Sequence, residues 1–146
     1  MRLSTRGRYG TRMLLDLALQ PEKPVVLKDI AQREQISLPY LERLIAPLIA
    51  GGIIRSARGI RGGVSLARAP EKISLGEVVP LLEGSITPVE CIDNPEVCAR
   101  SKFCVTRDIW GELKQAMEGV LQSTTLKDLV ERQKRKEQTE ELMYYI

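Results

Sequence analysis

The sequence predicts a mainly helical protein with one small two-stranded β-ribbon. Three observations carry that prediction. Apolar residues recur at helical spacing along most of the 146 residues, two short segments rich in β-branched residues flank a glycine-rich turn, and charge is divided unevenly along the chain. Residues 1 to 72 hold 13 Lys and Arg against 6 Asp and Glu, a net +7, whereas residues 73 to 146 hold 9 against 13, a net −4. The basic half is suited to a polyanionic partner. The length fits about one ordinary domain with room for a dimerising element.

Taken in order, Met13, Leu14, Leu17 and Ala18 fall on one face of a first helix, which Ser4 or Thr5 caps and which ends near Gln20, ahead of Pro21 and Pro24. In LKDIAQREQ, Leu27, Ile30 and Ala31 share a face. A short break at Ile36 then leads to Ser37, the expected N-cap of SLPYLERLIAPLIAGG, with Pro39 in its first turn. Pro47 removes a backbone donor and disfavours helical geometry at Ala46, so a kink is expected there, with Leu48 and Ile49 packing inward. IIRSAR and VSLAR flank GIRGG, whose glycines permit the positive φ values of a hairpin tip. A helix, a helix-turn-helix and a two-stranded wing, in this order, make a winged-helix DNA reader. Further on, Ser74 and Glu77 form a capping box for SLGEVVPLLEG. In TRDIWGELKQAMEGVL, Ile109, Leu113, Ala116, Met117, Val120 and Leu121 make an apolar stripe beside Trp110. Because the winged part is expected to have its own core, the stripe reads as a dimer interface carried by Ile109, Leu113, Met117 and Val120. Thr125 and Asp128 start a last helix, and ERQKRKEQTEE reads as solvated. The expected division is a DNA-binding domain at 1–84, a cysteine loop at 85–105, dimerisation and C-terminal helices at 106–137, and a tail at 138–146.

The chemistry of a double-stranded DNA reader fits this order. The first turns of a helix in the major groove need short or planar polar groups, and Ser37, Tyr40, Glu42 and Arg43 supply them; Arg43 suits guanine and Glu42 suits cytosine. Gly59, Gly62 and Gly63 let backbone approach phosphates, while Arg58 and Arg61 reach outward, Arg61 being the candidate for the minor groove. Ser4 and Arg8 at the start of the first helix complete the set.

CIDNPEVCARSKFC, residues 91–104, holds the three cysteines of a chain without histidine. No segment reads as a signal peptide, and the longest uncharged run, LIAPLIAGGII, is shorter than the roughly 18 apolar residues of a spanning helix. A soluble, cytoplasmic protein with no membrane partner is expected. A reducing compartment and an odd thiol count disfavour a structural disulfide, leaving metal or redox chemistry as the leading reading. An iron-sulfur cluster, a zinc site and free thiols stay open. An enzyme is disfavoured: there is no histidine for acid–base work, no glycine-rich phosphate loop after a strand and no distinctive carboxylate pair. A redox carrier using the same thiols would leave the basic half unexplained.

MRLSTRGRYG, QISLPYLERL, RGIRGG and the three-cysteine loop, in this order and at these distances, resemble the bacterial winged-helix transcriptional regulators typified by IscR, NsrR and CymR. The resemblance spans about residues 1 to 130. It implies a homodimer on a palindromic operator, acting as a repressor or regulator. In the metal-binding members it implies a 2Fe–2S or 4Fe–4S cluster held by Cys91, Cys98 and Cys104, through which cluster status, redox state or nitric oxide is sensed. CymR-like members lack the cluster. Two departures bear on the fourth ligand. The histidine that IscR-like proteins place three residues after the last cysteine is Arg107 here, and the position from which NsrR-like proteins lend a carboxylate is Arg8. Asp108 is the leading substitute, followed by Glu90, Asp93, Glu96 or an exogenous thiol or water. The implied mechanism is a ligand-linked population shift.

Overall fold

The structure, a computed structural model, describes residues 1–58 and 62–145. Its elements are α1 (Thr5–Leu19), α2 (Leu27–Glu34), α3 (Leu38–Ala50), β1 (Ile54–Ala57), β2 (Gly63–Leu66), α4 (Leu75–Glu83), α5 (Glu90–Asp93), α6 (Val105–Ser123) and α7 (Leu126–Tyr144). Short 3-10 turns at Pro70–Lys72, Pro95–Val97 and Ser101–Phe103 punctuate the connections. β1 and β2 pair antiparallel with Ile54 opposite Leu66 and Ala57 opposite Gly63. The expected mainly helical winged-helix architecture is therefore present.

Ser4 caps α1 through its hydroxyl, which accepts from Gly7 N at 3.3 Å. The turn between α2 and α3 is made by Gln35 in the left-handed region, φ 54°, followed by Ile36, whose N–H returns to Ala31 O at 3.0 Å and whose side chain is buried. α3 continues without interruption across Pro47 to Ala50. Leu48 packs inward as expected, but Ile49 is 41% exposed, because the buried stripe of α3 runs through Leu41, Leu44 and Leu48 at spacings of three and four and leaves position 49 outside.

The core draws Met13, Leu14 and Leu17 from α1, Ile30 from α2, Leu41, Leu44 and Leu48 from α3, and Leu82 from α4. α1 lies close against α4 because it presents no side chain there. A Cβ at Gly7 would collide with the Glu83 carboxylate, and one at Gly10 with the Leu82 methyls. The wing is tied down at its base: Val25 bridges to Val64 through paired hydrogen bonds of 2.8 and 2.9 Å. Gly63 makes this approach possible, since a Cβ there would stand 2.5 Å from Val25 O. Asp16, buried in α1, accepts two bonds from Arg33 of α2 at 2.9 and 2.7 Å, and this paired carboxylate raises the Arg33 pKa.

The acidic half is built differently. α4 begins at Ser74, whose N–H donates to Glu77 Oε2 at 3.2 Å, and α7 begins with a Thr125–Asp128 capping box. Ser74 and Thr125 bridge, with Leu75 N on Thr124 O at 2.8 Å and Leu126 N on Ile73 O at 3.0 Å, so the start of α7 is sewn to the start of α4. Leu126 is fully buried in the same core as Met13 and Leu44. α7 continues as helix to Tyr144, through the segment expected to be a tail, with its second half exposed. α6, by contrast, buries no residue completely. Among the described residues no helix is long and apolar enough to cross a membrane.

Candidate functional site: a DNA-reading face and a cysteine loop

Two regions carry the candidate residues. On the first, Ser37, Glu42 and Arg43 stand exposed at the beginning of α3. Among the described residues, neither Glu42 nor Arg43 enters an ion pair. Ser37 occupies the N-cap position in extended conformation without a side-chain capping bond, leaving its hydroxyl for another partner. Tyr40 also has a packing role. Its ring is half-buried, edge-on to Tyr9 at 5.5 Å between centroids, and it braces α3 against α1. Arg8 and Arg12 lie over the Tyr9 ring at 5.7 and 5.6 Å, which extends the cationic surface from α1 toward α3. Arg12 also holds Glu34 at 2.9 Å, so its charge is partly committed to the helix-turn-helix, whereas Arg8 is exposed with only a 3.4 Å contact to Thr5 Oγ1.

Ser4 is engaged within the chain: its hydroxyl donates to Glu83 at 2.6 Å and its N–H to the same carboxylate at 3.1 and 3.2 Å. Its hydroxyl proton is thus committed to Glu83 while its oxygen caps α1. Gly63 likewise lies in β2 against Val25 rather than at the wing tip. Arg58 is exposed beyond β1 and Gly62 is half-buried just before β2; the expected tip residues Gly59 and Arg61 lie outside the described residues. Arg55 was missed from sequence. It points out of β1 next to buried Ile54 and donates to Ser65 Oγ at 3.3 Å. The alternation of apolar and cationic residues in Ile54–Arg55 was the signal available.

The second region runs from α5 to the first turn of α6. Cys91 sits half-buried on α5, Cys98 is exposed after the 3-10 turn at Pro95–Val97, and Cys104 is half-buried at the N-cap of α6; all three are free thiols. The Cys104 pKa is lowered by the Thr106 hydroxyl first, with the N–H groups of Arg107 and Thr106 and the charge of Arg100 adding to it against the cost of burial. Arg107, which stands where IscR-like proteins carry a histidine, donates from Nε to Cys91 O at 2.9 Å. Asp93 accepts from Lys114 Nζ at 2.6 Å, Ser85 Oγ at 2.9 Å and Thr87 Oγ1, which lowers its pKa to about 2, the Lys114 bond contributing most. Asp93 is thereby held ionised and engaged by three side chains. Asp108 is exposed in the first turn of α6.

Three thiolates suit iron and sulfur, but among the described residues no group of three or more His, Cys, Asp or Glu side chains is placed to hold a metal ion. The expected set of Cys91, Cys98, Cys104 and Asp108 is thus not assembled in this arrangement. The physical reason is visible in the chain: Cys91 and Cys104 are anchored on two helices, while Cys98 sits on a separate turn pointing to solvent.

Residues 3–132 match the family Rrf2, described as an iron-dependent transcriptional regulator. The chain is 50% identical over 131 residues to the protein rrf2 of Nitratidesulfovibrio vulgaris Hildenborough, covering 89% of this chain and 87% of that one. It is similar in structure to CymR, the global cysteine regulator of B. subtilis, with a TM-score of 0.76 and 38% identity over 90% of this chain and 98% of that one. It is also similar to IscR of T. potens, with a TM-score of 0.74 and 40% identity over 90% and 88% of the two chains. With the winged-helix order, the exposed polar start of α3 and matches over nine-tenths of its length, the chain belongs to the Rrf2 family of transcriptional regulators.

Proposed function

We propose that the protein is a homodimeric DNA-binding regulator in which α3 reads the major groove of a palindromic operator and the wing follows the adjoining backbone. The observation that carries this reading is the pairing of Glu42 and Arg43, exposed and without ion-pair partners among the described residues, with the cationic edge formed by Arg8, Arg55 and Arg58. Support for a dimer comes from α6, where Val120 is 66% and Ile109 52% exposed. Next to it an open apolar groove of about 1060 Å³ is lined by Tyr9, Leu15, Val79, Met117, Val120 and Leu121. A second copy of α6 would cover both.

The sensor in this reading is the cysteine loop, with an iron-sulfur cluster on Cys91, Cys98 and Cys104 as the sensing group; the donor chemistry and the family's iron-dependent description support it. A second reading, direct thiol sensing without metal, is favoured by the separation of the three thiols and by the lowered Cys104 pKa.

Arg43→Ala tests the DNA reading. Against an operator selected by the wild-type protein from random duplexes, it should cost about 1–3 kcal/mol and blur preference at one base pair per half-site. Unchanged affinity and preference would remove α3 from the major groove. Iron and acid-labile sulfide in anaerobically prepared protein, lost on Cys→Ser at each position, separate the cluster from the thiol reading.

A further inference from the structure

Arg107 and Lys114 are seven residues apart on α6, so they project from the same face, about 10 Å apart along the axis. Both reach the same four-residue helix, α5. Arg107 Nε bonds the carbonyl of Cys91 at 2.9 Å, and Lys114 Nζ bonds the carboxylate of Asp93 at 2.6 Å. Asp93 is fastened from the other side by Ser85 and Thr87, which belong to the connection leaving α4. Lys114 is additionally oriented by Glu118 at 3.8 Å, one turn further along α6. The first cysteine of the loop is therefore held to α6 at two points, whereas Cys98 lies past both of them and is exposed.

We propose that Arg107 and Lys114 are positioning residues that clamp α5 onto α6, so that a chemical change at the loop's thiols is transmitted to α6 as a displacement. The proposal rests on the reading of the cysteine loop as the sensor. It requires no metal, since any event that moves the Cys91 backbone pulls on the Arg107 bond and, two residues on, on the Lys114–Asp93 pair. Either bond alone would hold α5 to α6 at a single point. The two together fix its direction along α6.

The test uses full-length Lys114→Met, Lys114→Arg and Arg107→Met, with iodoacetamide as the thiol probe and mass spectrometry to read each cysteine. In Lys114→Met, Cys91 should be alkylated about 3-fold or more faster than in wild type, because the clamp opens locally. Lys114→Arg should restore the wild-type rate, and Cys98 should react alike in all variants, which separates an open clamp from general unfolding. Operator affinity is then compared before and after complete alkylation. Wild type should show a change of about 5-fold or more, and Lys114→Met and Arg107→Met a change close to onefold. Variants that keep both the wild-type Cys91 rate and the wild-type affinity change would overturn the clamp alone. Wild-type protein whose affinity ignores alkylation would overturn the sensor reading, and with it the clamp.

Discussion

The basic and acidic halves of this chain solve opposite problems. In the basic half α1, α2 and α3 bury their apolar residues in one core, and α1 is tied to α2 by Arg33–Asp16 and Arg12–Glu34. α6 carries an apolar stripe of its own, yet buries none of it completely. A helix that holds Ile109, Trp110 and Val120 toward solvent has not finished packing. The difference teaches that α1, α2 and α3 complete their packing within the chain, whereas α6 leaves an apolar face uncovered, the face proposed as the dimer contact.

The largest effect should come from breaking that contact. Leu113→Glu with Val120→Glu should leave the circular dichroism spectrum intact but give monomers in light scattering and lower operator affinity by about 100-fold or more, since two linked half-sites become one. An intact dimer would place the interface elsewhere. In the shared core, Leu126→Ala should cost about 2–5 kcal/mol in urea unfolding, a fully buried leucine being removed; a cost no larger than that of an exposed α7 position would contradict its burial. Gly10→Ala sharpens the same point, because the added methyl meets Leu82 and should destabilise by about 1–3 kcal/mol. Smallest is a pH effect at Glu77. Arg68, and secondarily the Ser74 N–H, lower its pKa from the usual 4.5, so its contribution is complete above that value and is lost as pH falls through the lowered one. The stability difference between wild type and Glu77→Gln should shrink on acidification below about pH 4.5.

What was legible in the sequence was what neighbouring residues decide. Ser4, Ser74–Glu77 and Thr125–Asp128 announce their helices because a cap needs only three or four residues to make its bonds. The Gly-rich wing and the Ile36 turn are similarly local. Less legible was anything requiring a distant partner. Gly7 and Gly10 read as part of a motif, yet their use is against Glu83 and Leu82, more than seventy residues away. Tyr40 was polar enough to be a reading group and is also packed on Tyr9. Arg107 was visible only as a missing histidine; its bond to Cys91 O depends on how α5 lies on α6. The cysteines were conspicuous by type and proximity, but fourteen residues of irregular chain do not determine whether three thiols converge. The α7 extension to Tyr144 escaped because its second half has no buried face, so pattern carried no signal there.

Leu126 carries a consequence for how the protein is made. The chain's first helix contacts its last, and the core that supports α3 is closed by a residue near the C-terminal end. During synthesis, a chain that has emerged only as far as α6 still exposes the face that Leu126 covers, and the bonds from Ile73 and Leu75 to residues 126 and 124 are unmade. Folding of the winged-helix part is thus coupled to synthesis of the chain through the first turn of α7. A chain cut short within the cysteine loop would lack the residue that closes its core.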